Sequence, residues 1–325
     1  MNLIKNIKWV ALLTFVLGYV VSTATAGNEA APKGTSETRK ADNQETADKN
    51  ATSAAPRWAS VDIGEAMPAY FADSQPNVIN RAEGLNQIFD VLCKSGRPLR
   101  VLQLGDSHVA GKCYPQAVRS TLQSAWGEAA PDSLNGGLVY KFIGKNGARA
   151  ADFATAHRME QVTDAAPDLI ILSFGTNECH SMRYDATKHR AQLERLYSML
   201  KETCPDAVIM MTTPPGDYLT SRSVRYVRNR NGKRRRIVRT TSRINPMSQR
   251  CAAVLEDFGT AHGLPVWDLN SIAGGTDAVR NWSAGKLMRG DRIHFTPEGY
   301  ALQGRMLAAA ILSAYNDYVK LDSRS

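Results

Sequence analysis

The chain has 325 residues, of which 43% are hydrophobic and 22% charged. These proportions exclude a disordered chain or an integral membrane fold for the bulk of the sequence, and the length leaves room for one catalytic domain with a sizeable core. Formal net charge is +9, yet ten Lys or Arg and no acid lie between Arg222 and Arg243, so the basic character belongs to one segment and not to the domain.

At the N-terminus, Lys5 and Lys8 flank the start of an apolar run from Trp9 to Val21, and Ala24-Thr25-Ala26 offers a small-x-small cleavage site. Residues 1–26 are therefore expected to be a signal peptide, and the protein to be exported, periplasmic or associated with the cell envelope. The run falls short of the roughly 20 apolar residues of a spanning helix, although softer residues up to Ala26 leave an uncleaved anchor as the alternative and the sole membrane contact. No Cys follows it to carry a lipid. Residues 27–58 read as a disordered low-complexity linker: from Gly27 to Pro56 no large apolar side chain is available to repay the entropy of ordering. The folded domain is expected over residues 59–325.

Within it, short apolar runs alternate with amphipathic stretches. A helix over Ala82–Cys93 precedes a strand at Leu99–Leu104, which runs into Gly105-Asp106-Ser107-His108 and a helix over Ala110–Trp126. The strand at Leu138–Ile143 is followed by Gly144-Lys145-Asn146-Gly147, and the strand at Leu169–Phe174 by Gly175-Thr176-Asn177-Glu178. A helix over Thr187–Cys204, a strand at Val208–Thr212, a helix over Pro246–His262 and a strand at Pro265–Leu269 come next. Asp291-Arg292-Ile293-His294 then stands just before a final helix, Pro297–Tyr318, whose start carries a cap residue, a proline and an acid in Thr296-Pro297-Glu298. The alternation predicts an α/β fold, a doubly wound parallel five-stranded sheet with helices on both faces. Such sheets place their active sites beyond the carboxyl ends of the strands, where each of these turns falls.

The residue types at that edge suit acyl transfer. A serine lifted to the end of the first strand can present its hydroxyl and its own N–H to a substrate, and an acid three residues ahead of a histidine can fold back onto its ring. Four blocks, Gly-Asp-Ser, a glycine after the second strand, Gly-x-Asn-Glu and a late Asp-x-x-His, occur in order between Gly105 and His294. In this the chain resembles the SGNH (GDSL-like) hydrolases, and its GDSH and GTNE forms with the following Pro-Pro-Gly-Asp stretch look most like exported bacterial peptidoglycan O-acetylesterases. The resemblance implies a flavodoxin-like sheet, a catalytic set of Ser107, Asp291 and His294, and an oxyanion hole from Ser107, Gly147 and Asn177. Gly144 competes for the second block, and Gly147 fits it better because of the Ala148 and Asp152 that follow. Asp106, His108 and Glu178 are expected to brace or line the pocket without performing chemistry.

The chain is therefore expected to be an exported serine esterase that removes O-acetyl groups from a cell-wall glycan or related polysaccharide, with no cofactor and no metal. An O-acetyltransferase using the same residues and a non-catalytic polysaccharide-binding module are the alternatives. The basic segment, a hairpin insertion over about 217–245 with its turn at Asn231-Gly232, either cradles an anionic polymer or is a solvated charged edge. Its candidate polymer contacts are Arg225, Arg228, Arg230, Lys233, Arg234, Arg235, Arg236 and Arg239. With Tyr226 the one aromatic residue between Arg225 and Arg239, it is a poor match for nucleic acid. Of the five cysteines, Cys113 and Cys179 are expected near the catalytic edge, close enough for a bridge between two oxyanion-bearing loops.

Overall fold

A computed structural model describes residues 60–322 apart from 64–66, 131 and 135. The expected signal peptide, 1–26, and linker, 27–58, lie outside the described residues. Strands β1 (Leu99–Gly105), β2 (Leu138–Gly144), β3 (Leu169–Ser173), β4 (Val208–Thr212) and, after the hairpin strands β5 (Tyr218–Arg228) and β6 (Arg234–Ile244), β7 (Val266–Trp267) appear in chain order. Five of them form one sheet in the order β2-β1-β3-β4-β7, every neighbouring pair parallel.

The apolar runs explain that arrangement. All five positions of β3 are buried, as they must be in a strand covered on both faces. Successive side chains alternate between the faces. Leu99, Val101, Leu169, Ile171 and Met210 join a core on one side with helices α1 (Asn86–Lys94), α3 (Cys113–Trp126) and α11 (Pro297–Asp322). Leu102, Leu104, Ile170, Leu172, Ile209 and Met211 join a second core with α5 (Ala156–Ala165), α7 (Ala186–Thr203) and α8 (Met247–His262). Short helices α2 (Ser107–Ala110), α4 (Ala150–Phe153), α6 (Thr176–Cys179) and α9 (Leu269–Ile272), with the seven-residue α10 (Ala278–Ala284), sit at or near the strand ends. Because the chain leaves β1 toward β2 on one side and β3 on the other, the connections diverge there and open a crevice at the carboxyl ends of β1 and β3.

Several local expectations are corrected. The helix expected from Ala110 to Trp126 is two helices, because α2 ends at Gly111 and Lys112 takes a left-handed φ of 69° before α3 begins. The break lets α2 settle against β2, where a Cβ on Gly144 would lie 2.2 Å from the Ala110 nitrogen. The last strand shrinks to Val266–Trp267 because Asp268 turns into the cap of α9, accepting the N–H of Ser271. Cys113 and Cys179 do not meet: Cys113 packs against the first core and Cys179 within the second, with the sheet between them, and none of the five cysteines is in a disulfide.

The basic segment forms a separate antiparallel pair, in register from Tyr218 opposite Ile244 to Arg228 opposite Arg234, and most of it is solvent-exposed. The Asn229 side chain closes its tip by accepting the N–H groups of Asn231 and Lys233, and Gly232 supplies a φ of 72°. Two strands alone are marginally stable in water. At the root, Asn245 N–H donates to the Asp217 carbonyl and Tyr218 N–H to the Arg292 carbonyl, both at 3.0 Å.

Candidate active site

At the end of β1, Gly105 is required by close approach, since a Cβ there would meet Val109 Cγ2 at 2.4 Å and the Ser173 carbonyl at 2.7 Å. The buried Asp106 caps α2, one carboxylate oxygen accepting the His108 N–H at 2.9 Å, and Ser107 opens the helix at the crevice. Burial pushes the Asp106 carboxyl up to about 7 against the pull of that N–H.

Across the crevice, Asp291 accepts the N–H groups of Ile293 and His294, each at 2.9 Å, so the Asp-x-x-His stretch folds back on itself around Arg292, whose φ is 61°. His294 Nδ1 then lies 2.9 Å from Asp291 Oδ2, and His294 Nε2 lies 2.9 Å from Ser107 Oγ. Burial raises the Asp291 pKa, but the two N–H donors and the His294 ring outweigh it and hold the carboxyl below its ordinary range. Ser107, His294 and Asp291 thus form one hydrogen-bonded chain across 187 residues of sequence. A serine hydroxyl on imidazole Nε2, with a carboxylate on Nδ1, is a nucleophile with its base and the group that orients the base.

A cleft of about 570 Å³ opens over this chain, lined by Ser107, Asn146, Gly147, Asn177, His180, Arg289, His294 and Tyr300 among others. Gly147 reaches it with a φ of 72° and open space where a Cβ would stand, whereas Gly144 is half-buried in contact with α2 and does not line the cleft. Asn177 Nδ2 donates to the Ala148 carbonyl at 2.9 Å and makes a long 3.3 Å contact with Asp106 Oδ2.

The supporting residues lie beneath. Glu178 accepts the N–H of Ala150 at 2.8 Å and of Gly175 at 3.0 Å, joining the second-block and third-block turns with one carboxyl that burial pushes up to about 7. His108 stands behind the cleft and does not line it: its Nδ1 is 3.0 Å from Tyr300 Oη and its ring centroid 5.5 Å from that of His294. Burial first, and then the neighbouring His294, lower its pKa to about 3, so it stays neutral. The eight candidate polymer contacts, Arg225 to Arg239, lie on the hairpin and not in the cleft. Among the described residues no three His, Cys, Asp or Glu side chains are grouped to hold a metal ion.

No spacing in the sequence gives His180 or Arg289 a role, and Asp217 stands out only as the end of the Pro-Pro-Gly-Asp stretch. His180 stands out only by following the third block, and its pairing with Asp217, 37 residues away, has no signature beyond an acid after the fourth strand.

A family model for the GDSL-like lipase/acylhydrolase family matches residues 104–302, which includes every residue of the Ser107–His294–Asp291 chain. No curated protein sequence is significantly similar to the chain. Among solved structures, a peptidoglycan O-acetylesterase is similar in fold at 16% identity, over 73% of this chain and 98% of that one, with a TM-score of 0.59. A two-domain esterase active on acetylated mannans is 17% identical over 76% of this chain and 57% of that one, with a TM-score of 0.48. A lipase/acylhydrolase from Enterococcus faecalis is 19% identical over 66% of this chain and 96% of that one, with a TM-score of 0.41.

Proposed function

The chain belongs to the GDSL-like lipase/acylhydrolase (SGNH) family and is a serine ester hydrolase, and from that premise we propose that it is exported and removes O-acetyl groups from a cell-wall glycan such as peptidoglycan, or a related polysaccharide. The observation that carries the chemistry is the hydrogen-bonded chain from Ser107 Oγ through His294 to Asp291 at the floor of an open cleft. The glycan is supported by the activity of the structurally similar peptidoglycan O-acetylesterase and by the volume of the cleft, about 570 Å³. Export is supported by the N-terminal apolar run and the Ala-Thr-Ala stretch.

In this reading, His294 Nε2 takes the Ser107 proton as Oγ attacks the acetyl carbonyl, and Asp291 holds the ring in the tautomer that leaves Nε2 free to accept. The oxyanion is met by the N–H groups of Ser107 and Gly147 and by the Asn177 amide. Of the two Asn177 N–H bonds, the one held only at 3.3 Å by Asp106 is the one a stronger acceptor can draw away. The tetrahedral adduct collapses, the sugar oxygen leaves with the proton from His294, and the acetyl group stays on Ser107. Water, deprotonated by His294, then releases acetate and restores the serine. Each oxyanion donor contributes about 3 kcal/mol to lowering the barrier.

The cationic hairpin is given the role of holding an anionic glycan, through Arg225, Arg228, Arg230, Lys233, Arg234, Arg235, Arg236 and Arg239. Its exposure along nearly the whole length and its lack of any acid support that role over internal packing. Acetate release from O-acetylated peptidoglycan tests the proposal. Release that disappears in Ser107→Ala is the expected result, and hydrolysis of small acetyl esters without release from the polymer would contradict the glycan assignment.

A further inference from the structure

The cleft holds a second histidine–carboxylate pair, which the reaction above leaves idle. His180 follows α6, three residues beyond Asn177, and lines the cleft with its side chain 33% exposed. Its Nδ1 is hydrogen-bonded to Asp217 Oδ2. Asp217 is 1% exposed, and its other oxygen accepts the Asn245 amide at 2.8 Å and the Ser248 hydroxyl at 2.7 Å. A carboxylate so buried costs several kcal/mol unless it is paired. Three donors from two separate stretches of chain converge on this one, which is more than a surface ion pair requires. The hydrogen bond to Asp217 raises the His180 pKa against the opposing effect of burial, which favours the charged ring, and that bond takes Nδ1 and not Nε2.

On the same cleft, Arg289 is exposed and forms no ion pair among the described residues. The residues lining the cleft include no Asp or Glu. Asp217 and Asn245 are also the residues at the two roots of the cationic hairpin, immediately before β5 and after β6. At that root, Tyr218 N–H donates to the Arg292 carbonyl at 3.0 Å and the Arg292 guanidinium lies 5.1 Å from the Tyr218 ring centroid, in the turn that also carries Arg289 and Asp291. The turn that carries Arg289 and Arg292 is thereby joined to the root of the cationic arm.

We propose that His180 and Arg289 form an anion subsite that makes this enzyme selective for acetyl esters on sugars bearing a carboxylate, as uronic acids and lactyl-substituted amino sugars do. Asp217 acts through His180 as a positioning residue. The subsite rests on the reading of the Ser107 cleft as the ester-hydrolysing site. A carboxylate on the sugar ring meets the two cations while its acetyl group sits at Ser107, and a neutral sugar forgoes those contacts.

The test compares kcat/KM of the purified full chain on the mono-O-acetyl esters of methyl glucuronoside and methyl glucoside, acetylated at the same hydroxyl. The charged ester is expected to be preferred about tenfold or more, mainly through KM, the scale of one charge-assisted contact. His180→Gln and Arg289→Gln should each bring that ratio close to one, while Arg289→Lys, which keeps the charge, should retain most of it. Arg289 is exposed, so its variants carry the test if His180→Gln does not fold. Hydrolysis of both esters with equal efficiency, or a ratio unchanged in both Gln variants, would overturn the subsite and leave ester hydrolysis standing. Hydrolysis of neither ester would overturn the reading on which the subsite depends, and the subsite with it.

Discussion

Each residue of the cleft has a role that a single substitution can isolate. Ser107→Ala removes the nucleophile at a half-buried turn where a smaller side chain fits, so activity on a small acetyl ester should fall to background with the melting curve unmoved. Retention of more than a few per cent of turnover would contradict its role. Asn177→Ala should lower kcat by about 10²–10³-fold with little change in KM, the pattern of a donor engaged in the transition state. A rise in KM alone would make Asn177 a ground-state contact instead. The buried histidines have a pH signature. Away from the cleft, burial of His189 in α7 lowers its pKa from 6.5 to about 4, so its neutral form contributes stability that is complete above pH 6.5 and is lost as pH falls toward 4. The stability difference between wild type and His189→Gln, from urea unfolding, should therefore shrink over that interval, and a pH-independent difference would refute the assignment. The four blocks were legible because each is a short run read locally. His180, Asp217 and Arg289 were not, because their meaning lies in contacts between separate stretches of chain that no spacing announces.

At the scale of elements, the two glycines after β2 separate packing from access. A Cβ on Gly144 would collide with the backbone of α2, while one on Gly147 meets nothing within 4 Å and costs only the strain of a left-handed φ, about 1–2 kcal/mol. Gly144→Ala should accordingly lower the melting temperature more than Gly147→Ala, and the opposite order in calorimetry would contradict the packing. The strands were readable because buried parallel strands are near-continuous apolar runs, as in Leu169-Ile170-Ile171-Leu172. Helix α5 was missed because only Met159 and Val162 mark its buried face, and the Gly111–Lys112 break was hidden because it answers to Gly144, which is distant in sequence. The hairpin was visible from its charge and its Asn-Gly turn, although the tip is closed by Asn229. Replacing several of its arginines by glutamine should lower the rate on O-acetylated peptidoglycan relative to that on a small neutral ester. Added salt should imitate the change, since exposed charges are screened beyond about 8 Å at physiological ionic strength. A polymer-to-small-ester ratio indifferent to both would reduce the arm to a solvated edge.

Across the whole molecule, the sheet order fixes where chemistry can occur. Divergence of the connections at β1 and β3 brings Ser107 and Asn177 to one crevice, and the Asp291–His294 turn before α11 closes over it, so residues far apart in sequence converge without a dedicated active-site domain. Two cores, one on each face, pack against that sheet. The mechanism stands on Ser107 being a nucleophile activated by His294, and covalent labelling by a fluorophosphonate with peptide mapping tests this most directly. The label should fall on Ser107 in the wild-type protein and be lost or strongly slowed in His294→Ala. A folded wild-type protein that takes no label, or takes it on another serine, would contradict the mechanism.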